Sequence, residues 1–308
     1  MNTLLMTVMG SASTVFSRVA ILLCAFAVFT PVALTGSDAW SNGGYSGDVS
    51  HPDYGTHDWI AEAALELQTG NSSFLSSTYH TSYLLGTEAP DNPSYIGDTS
   101  EHHVYYGSSR DLQDDSSALR ASTMYSTSLE ELRSGSLEDA AFYAGAMTHY
   151  ISDVGVFGHT MGSGTDWGSE AVHQDYESSL DSDIRAMDFP TIALVDKDAY
   201  NSTLELAFKT TFGAGGVKPN VWMDDNFDWT DSAYRACAFA SVNEAVSSVA
   251  AAIHHLLMEW GAPAVENPDA DGPTTQNHDS ALRNAIIIGA AAVVAATAVI
   301  AARAATRR

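Results

Sequence analysis

The stretch from Asp231 to Trp260, DSAYRACAFASVNEAVSSVAAAIHHLLMEW, limits the fold more than any other part of the chain. It is Ala-rich and apolar on most sides, so it reads as one long helix buried over much of its surface. Such a helix must be covered by other elements. Four more segments carry helical period: His57–Gln68, Ser136–Val154, Ser169–Ile184 and Asp198–Phe212. In the first, Ile60, Ala64 and Leu67 form one stripe. The second opens with a Ser-x-x-Asp cap signature and lines up Ala140, Tyr143, Met147 and Tyr150. No alternating strand pattern of useful length appears, and the connections are rich in Gly, Ser, Asn and Asp. The fold class is all-α, a single multi-helix domain spanning residues 40–262.

Both ends read differently from this body. Arg18 precedes an apolar run, Val19 to Leu34, followed by TGSDA with small residues at Ser37 and Ala39. That order is an export signal over residues 1–39, cleaved before Trp40; an uncleaved anchor is the alternative. Cleavage removes Cys24 and leaves Cys237 alone, so no intramolecular disulfide forms. Residues 263–284 are a polar, Pro-containing linker. Ala285 to Ala302 is uninterrupted and apolar, near the lower length limit for a transmembrane helix. The basic tail 303–308, with Arg303, Arg307 and Arg308, stays cytoplasmic, which puts the body outside the cell membrane as the exported part of a single-pass protein.

The chain of 308 residues carries 13 Lys+Arg against 38 Asp+Glu, a formal charge of −25. The two ends hold five bases and five acids, so the body keeps the whole excess. An acidic surface repels phosphate backbones, and no nucleic-acid partner is expected. Part of the excess is suited to binding metal.

Eleven histidines are unremarkable in number but not in placement. His149 and Asp153 are four apart on a strong helix and share a face. His159 follows where Gly155 and Gly158 end that helix. His173 and Glu177 are again four apart. A His one turn from a carboxylate is how all-α metal sites project ligands inward, and imidazole with carboxylate suits zinc. Asp91 follows a Gly-Thr-Glu-Ala-Pro loop, EHHVYY supplies His102 and His103, and GTHDWI supplies His57.

This ordered series resembles the zinc-dependent phospholipases C, relatives of the single-strand-specific zinc nucleases. The matching residues are Trp40, His57 in H-x-W-I, Asp91, His103, and the run H-x3-D-x5-H-x13-H-x3-E from His149 through Asp153, His159 and His173 to Glu177. The resemblance implies three zinc ions per chain. One takes Asp91, His103, His149 and Asp153. A second takes His159, His173 and Glu177. The third takes the free amine and carbonyl of Trp40, with His57 and a bridging Asp153. His103 is favoured over His102 because the family's His directly precedes an aliphatic or aromatic residue. Glu177 as the last member, and the wide spacing from Trp40 to His57, point to the phospholipase branch. The implied activity is phospholipid hydrolysis to a phosphorylated head group and a lipid alcohol, with Asp91 as ligand and general base. The rival readings are a nuclease or nucleotidase with the same cluster, and a zinc-binding surface protein without turnover. Tyr95, Tyr105 and Tyr106 are expected mainly as packing, with a cationic head group as their other partner.

Overall fold

The computed structural model describes residues 54–261, apart from 69–71, 73, 99, 191 and 215. In chain order the helices are α1 (Thr56–Glu66), α2 (His80–Glu88), α3 (Ser116–Ser134), α4 (Leu137–Asp153), α5 (His173–Ile184), α6 (Ala199–Phe212), α7 (Asn220–Asp225) and α8 (Ser232–Gly261). A π turn (Phe74–Thr78) precedes α2 and a 3-10 turn (Phe157–Thr160) follows α4. One small antiparallel pair, β1 (Tyr105–Tyr106) with β2 (Leu112–Asp114), joins α2 to α3. The proposed signal peptide, Trp40, the linker, the apolar segment 285–302 and the basic tail all lie outside the described residues.

The central helix is α4. From Ala144 to Asp153 every residue is buried, because α1, α2, α3, α6 and α8 all pack around it. Ala140, Met147 and Tyr150 lie in the core as their spacing predicts, while Tyr143 is only half-buried. Tight packing against α2 depends on glycine. A Cβ on Gly86 would overlap the carbonyl oxygen of Phe142, and one on Gly145 would overlap that of Tyr83. The two backbones therefore touch. Against α3, serines bridge the contact: Ser128 Oγ donates to the Ala140 carbonyl at 2.8 Å and Ser117 Oγ to that of Tyr150 at 2.6 Å. Gly135, with φ +88°, turns the chain between the two helices.

The long apolar helix α8 covers α1, α4 and α6. By length and composition it could cross a membrane, yet more than half of its most apolar window is buried inside the protein. Its apolar surface goes into the core, from Tyr234 and Ala238 to Ile253 and Leu256. Cys237 packs at the edge of that core.

Several boundaries differ from the sequence reading. Helix α3 escaped it because Ser117, Ala118, Ala121 and Ser128 occupy much of its buried face. Small and hydroxyl side chains carry little apolar signal. Helix α5 starts at His173 rather than Ser169. The segment read as a loop before Asp91 is helical through Glu88. Asp198 caps α6 by accepting from Asn201 N at 2.8 Å, whereas Ser136 precedes α4 without a side-chain cap.

Candidate metal centre

The last turn of α4 brings two polar groups into the middle of the protein. His149 and Asp153 are both fully buried, with Nε2 3.1 Å from Oδ2. Burying polar groups requires partners, and these come from five other segments. From α1, His57 Nε2 lies 3.2 Å from Asp153 Oδ1, and its ring stacks on His149 at 4.2 Å. Asp91, in the turn after α2, places its two oxygens 3.7 Å from His102 Nδ1 and 3.7 Å from His149 Nε2. His102 Nδ1 is 2.6 Å from Asp153 Oδ2. His159, from the 3-10 turn, and His173, from the first turn of α5, meet edge to face at 4.9 Å. His173 Nε2 is 2.7 Å from Glu177 Oε1, and His159 Nε2 is 4.0 Å from the same oxygen.

The structure places one of the expected residues elsewhere. His103 does not enter the cluster. Its Nε2 faces Asp114 Oδ1 at 3.4 Å and its ring stacks on Tyr105 at 4.4 Å, partly exposed. His102 takes the interior position. The segment is extended, so neighbouring side chains point to opposite sides. His102, Val104 and Tyr106 are buried, while Glu101, His103 and Tyr105 are half-buried. The aliphatic Val104, fully buried, sets that parity, and this was the available signal.

Three candidate ligand groups result: His57, His149 and Asp153; Asp91, His102 and His149; and His159, His173 and Glu177. All eight residues are buried. Trp40 lies outside the described residues.

The hydrogen bonds behind the rings decide which nitrogens face inward. His149 Nδ1 donates to the Thr87 carbonyl at 2.7 Å, a reach made possible by the Gly86–Gly145 contact. His102 Nε2 donates to the carbonyl of Asp98. His57 Nδ1 sits 2.8 Å from Ser152 Oγ, whose one hydrogen faces the Thr148 carbonyl at 2.9 Å. Ser152 therefore accepts from His57. Each ring thus turns its other nitrogen toward the cluster, where that atom holds a proton or, once the proton is displaced, offers a lone pair. This is how protein ligands of metals are oriented.

Protonation follows the same arrangement. Burial, with the neighbouring His149, lowers His57 to about 4. Burial likewise holds His159 well below its ordinary value. His159 Nε2 is buried with no hydrogen-bond partner among the described residues. Burial also opposes charge on His102, but Asp153 and Asp91 raise it to about 9. Against burial again, Glu170 and Glu177 raise His173 to about 10. Burial pushes Glu177 up to about 8. Asp153 stays well below its ordinary value despite burial, because His149, His159 and His102 surround it. Inward-facing imidazole lone pairs packed on carboxylates need protons or cations between them, and the donor set fits zinc.

Access comes through a cavity of about 320 Å³ lined by His102, His159 and His173, with Tyr105, His103 and Glu170 beside them. Of the three tyrosines considered from sequence, only Tyr105 lines this cavity. Tyr106 is buried, and Tyr95 packs against Phe142 at 6.0 Å. A larger open cleft of about 580 Å³, between Asp196 and His255, contains none of the cluster.

A helical body holding buried His and carboxylate groups of this order is that of a candidate metal-binding protein, and comparison with known proteins gives its family. The model of the zinc-dependent phospholipase C family matches residues 56–215, just over half the chain. The chain belongs to that family and is a hydrolase of the phospholipase C type. Among solved structures it is similar to the alpha toxin from Clostridium absonum. The TM-score is 0.52 at 15% identity, covering 71% of this chain and 67% of the toxin. The alpha-toxin of Clostridium perfringens from avian strain SWCP gives a TM-score of 0.47 at 14% identity, covering 69% and 66%. The chain thus spans about two thirds of the length of each. No curated protein sequence matches it.

Proposed function

We propose that the body, residues 40–262, binds three zinc ions and hydrolyses phospholipids to a phosphorylated head group and a lipid alcohol. The observation that carries this reading is the position of Asp153. Its Oδ1 faces His57, and its Oδ2 faces His102 and His149. One carboxylate serving two donor groups is the arrangement a bridging ligand needs. His102 replaces His103 in the set; Asp91, His149 and Asp153 complete one position, and His159, His173 and Glu177 another. The third takes His57 and Asp153 with the Trp40 amine and carbonyl, a free amine that exists only after cleavage at Ala39.

When bound, zinc supplies charge to hold the phosphodiester oxygens and lowers the pKa of the attacking water. The residues do the rest. Thr87, Asp98 and Ser152 hold the three rings so that their lone pairs face the reacting centre. Asp91, 7% exposed, lies at the edge of the cluster and is the group proposed to take the proton of the attacking water. Water adds to phosphorus, the bond to the lipid oxygen breaks, and that oxygen leaves with a proton as the alcohol.

Export under the residue 1–39 signal and a tether at 285–302 would hold the body beside the outer leaflet, where effective substrate concentration is high. The test is hydrolysis by the processed chain of phospholipid vesicles, with single-stranded DNA as competing substrate. Chelator-sensitive release of a phosphorylated head group supports the reading. Cleavage of DNA with intact lipid would replace it by the nuclease reading.

A further inference from the structure

His159 and His173 sit on separate segments, the 3-10 turn and the start of α5, joined by a long irregular connection. Both segments are tied to one short helix. Asn220, the first residue of α7, donates from Nδ2 to the carbonyl of Thr160 at 3.1 Å, next to His159. Asp224, four residues on, accepts at Oδ1 from Ala171 N at 2.8 Å and Val172 N at 3.1 Å, next to His173. Residues four apart share a helix face, so one face of α7 grips both segments.

The grip is firm for physical reasons. Asn220 is fully buried, and a buried donor without its acceptor is costly. Its Oδ1 is also used, accepting from Val221 N at 2.7 Å. Ala171 and Val172 carry N–H groups at the entrance to α5, which the helix itself cannot satisfy. A carboxylate there also complements the positive end of the helix. Behind α7, Tyr234 of α8 donates to the Met223 carbonyl at 2.8 Å and stacks on Trp222 at 5.9 Å. The core helix thus fixes α7. The fit is tight at the far side too, since a Cβ on Gly158 would lie 2.5 Å from His173 Nδ1.

We infer that α7 is a clasp for the second metal position: Asn220 and Asp224 are positioning residues that set the separation of His159 from His173 and Glu177. The inference rests on the proposed reading of those three side chains as a zinc site. It adds residues that lie beyond 215, where the family match ends.

The test compares the full chain with Asp224→Ala, Asp224→Asn and Asn220→Leu, with His173→Ala as control. Zinc per chain and zinc affinity, by competition with a chromophoric chelator, are read beside melting of the metal-free proteins. Asp224→Ala and Asn220→Leu are expected to weaken one zinc of the set about ten- to a hundredfold, the range for outer partners of metal ligands. Asp224→Asn keeps an acceptor oxygen and is expected to stay within about threefold of the parent, following the same hydrogen-bond logic. Added zinc should restore kcat in the weakened variants. If Asp224→Ala or Asn220→Leu lowers melting but binds zinc as the parent does, or if Asp224→Asn is as damaging as Asp224→Ala, the clasp is refuted. Should either disruptive variant fail to fold, the other together with Asp224→Asn still decides. If His173→Ala leaves zinc content unchanged, the metal reading itself has failed, a result distinct from failure of the clasp.

Discussion

Asp153 and His57 meet in the interior, Oδ1 to Nε2 at 3.2 Å, with neither side chain exposed to solvent. They come from helices far apart in sequence, and Oδ2 of the same carboxylate is engaged on its other side by His102 and His149. Asp153→Asn keeps the shape but removes the charge and one oxygen. It should lower zinc content by more than one ion and cut activity at least about a hundredfold, since even outer-shell losses reach that range. Metal analysis of the purified variant checks this. Loss of a single ion would mean that Asp153 does not bridge.

The two adjacent histidines should separate cleanly. His102→Ala is expected to lose zinc and at least about a hundredfold in kcat/KM, by the same comparison with outer-shell effects. His103→Ala should retain full zinc, because His103 faces Asp114 and Tyr105 instead. Equal zinc loss in both would contradict the side-chain placement.

Zinc uptake should be strongly pH-dependent. In the metal-free protein burial disfavours charge on His102 and His173, yet the facing carboxylates raise them to about 9 and about 10. Both carry protons at neutral pH, and a metal must displace them. Affinity therefore falls as pH falls, and rises until pH passes those values. Each displaced proton gives about a tenfold change per pH unit. His57, lowered to about 4 chiefly by burial, contributes nothing near neutrality. Calorimetry in buffers of different ionisation enthalpy measures the protons released; none released at pH 7 would contradict this account.

Gly145 links packing to the site. A methyl group there would strike the Tyr83 carbonyl and push α2 from α4. The Thr87 carbonyl would then move away from His149 Nδ1, now 2.7 Å distant. Gly145→Ala should destabilise the fold by about 1–3 kcal/mol, the usual cost of overpacking, and weaken zinc binding as well. Denaturant melts with a zinc titration test both effects; a variant of unchanged stability would show that α2 can retreat freely.

The candidate site was more legible in the sequence than the fold around it. The spacings His149–Asp153 and His173–Glu177 follow from helical geometry alone, and both pairs lie on the helices expected. His102 and His103 were not separable by motif, because tertiary burial of Val104 decides which side faces in. Helix α3 was missed where Ser117, Ala121 and Ser128 put small or hydroxyl side chains, in place of large apolar ones, on a buried face. The positions of Asn220 and Asp224 carry no signal in sequence, since their partners are backbone atoms about fifty to sixty residues away.

The most direct test is to count zinc and assay hydrolysis on one sample of the processed chain with a free Trp40 amine. The account predicts three zinc ions per chain and release of a phosphorylated head group from phospholipid, lost with a chelator and regained with zinc. Correctly folded protein that holds no zinc at the cluster, or that cleaves phospholipid equally well without it, would contradict the central claim.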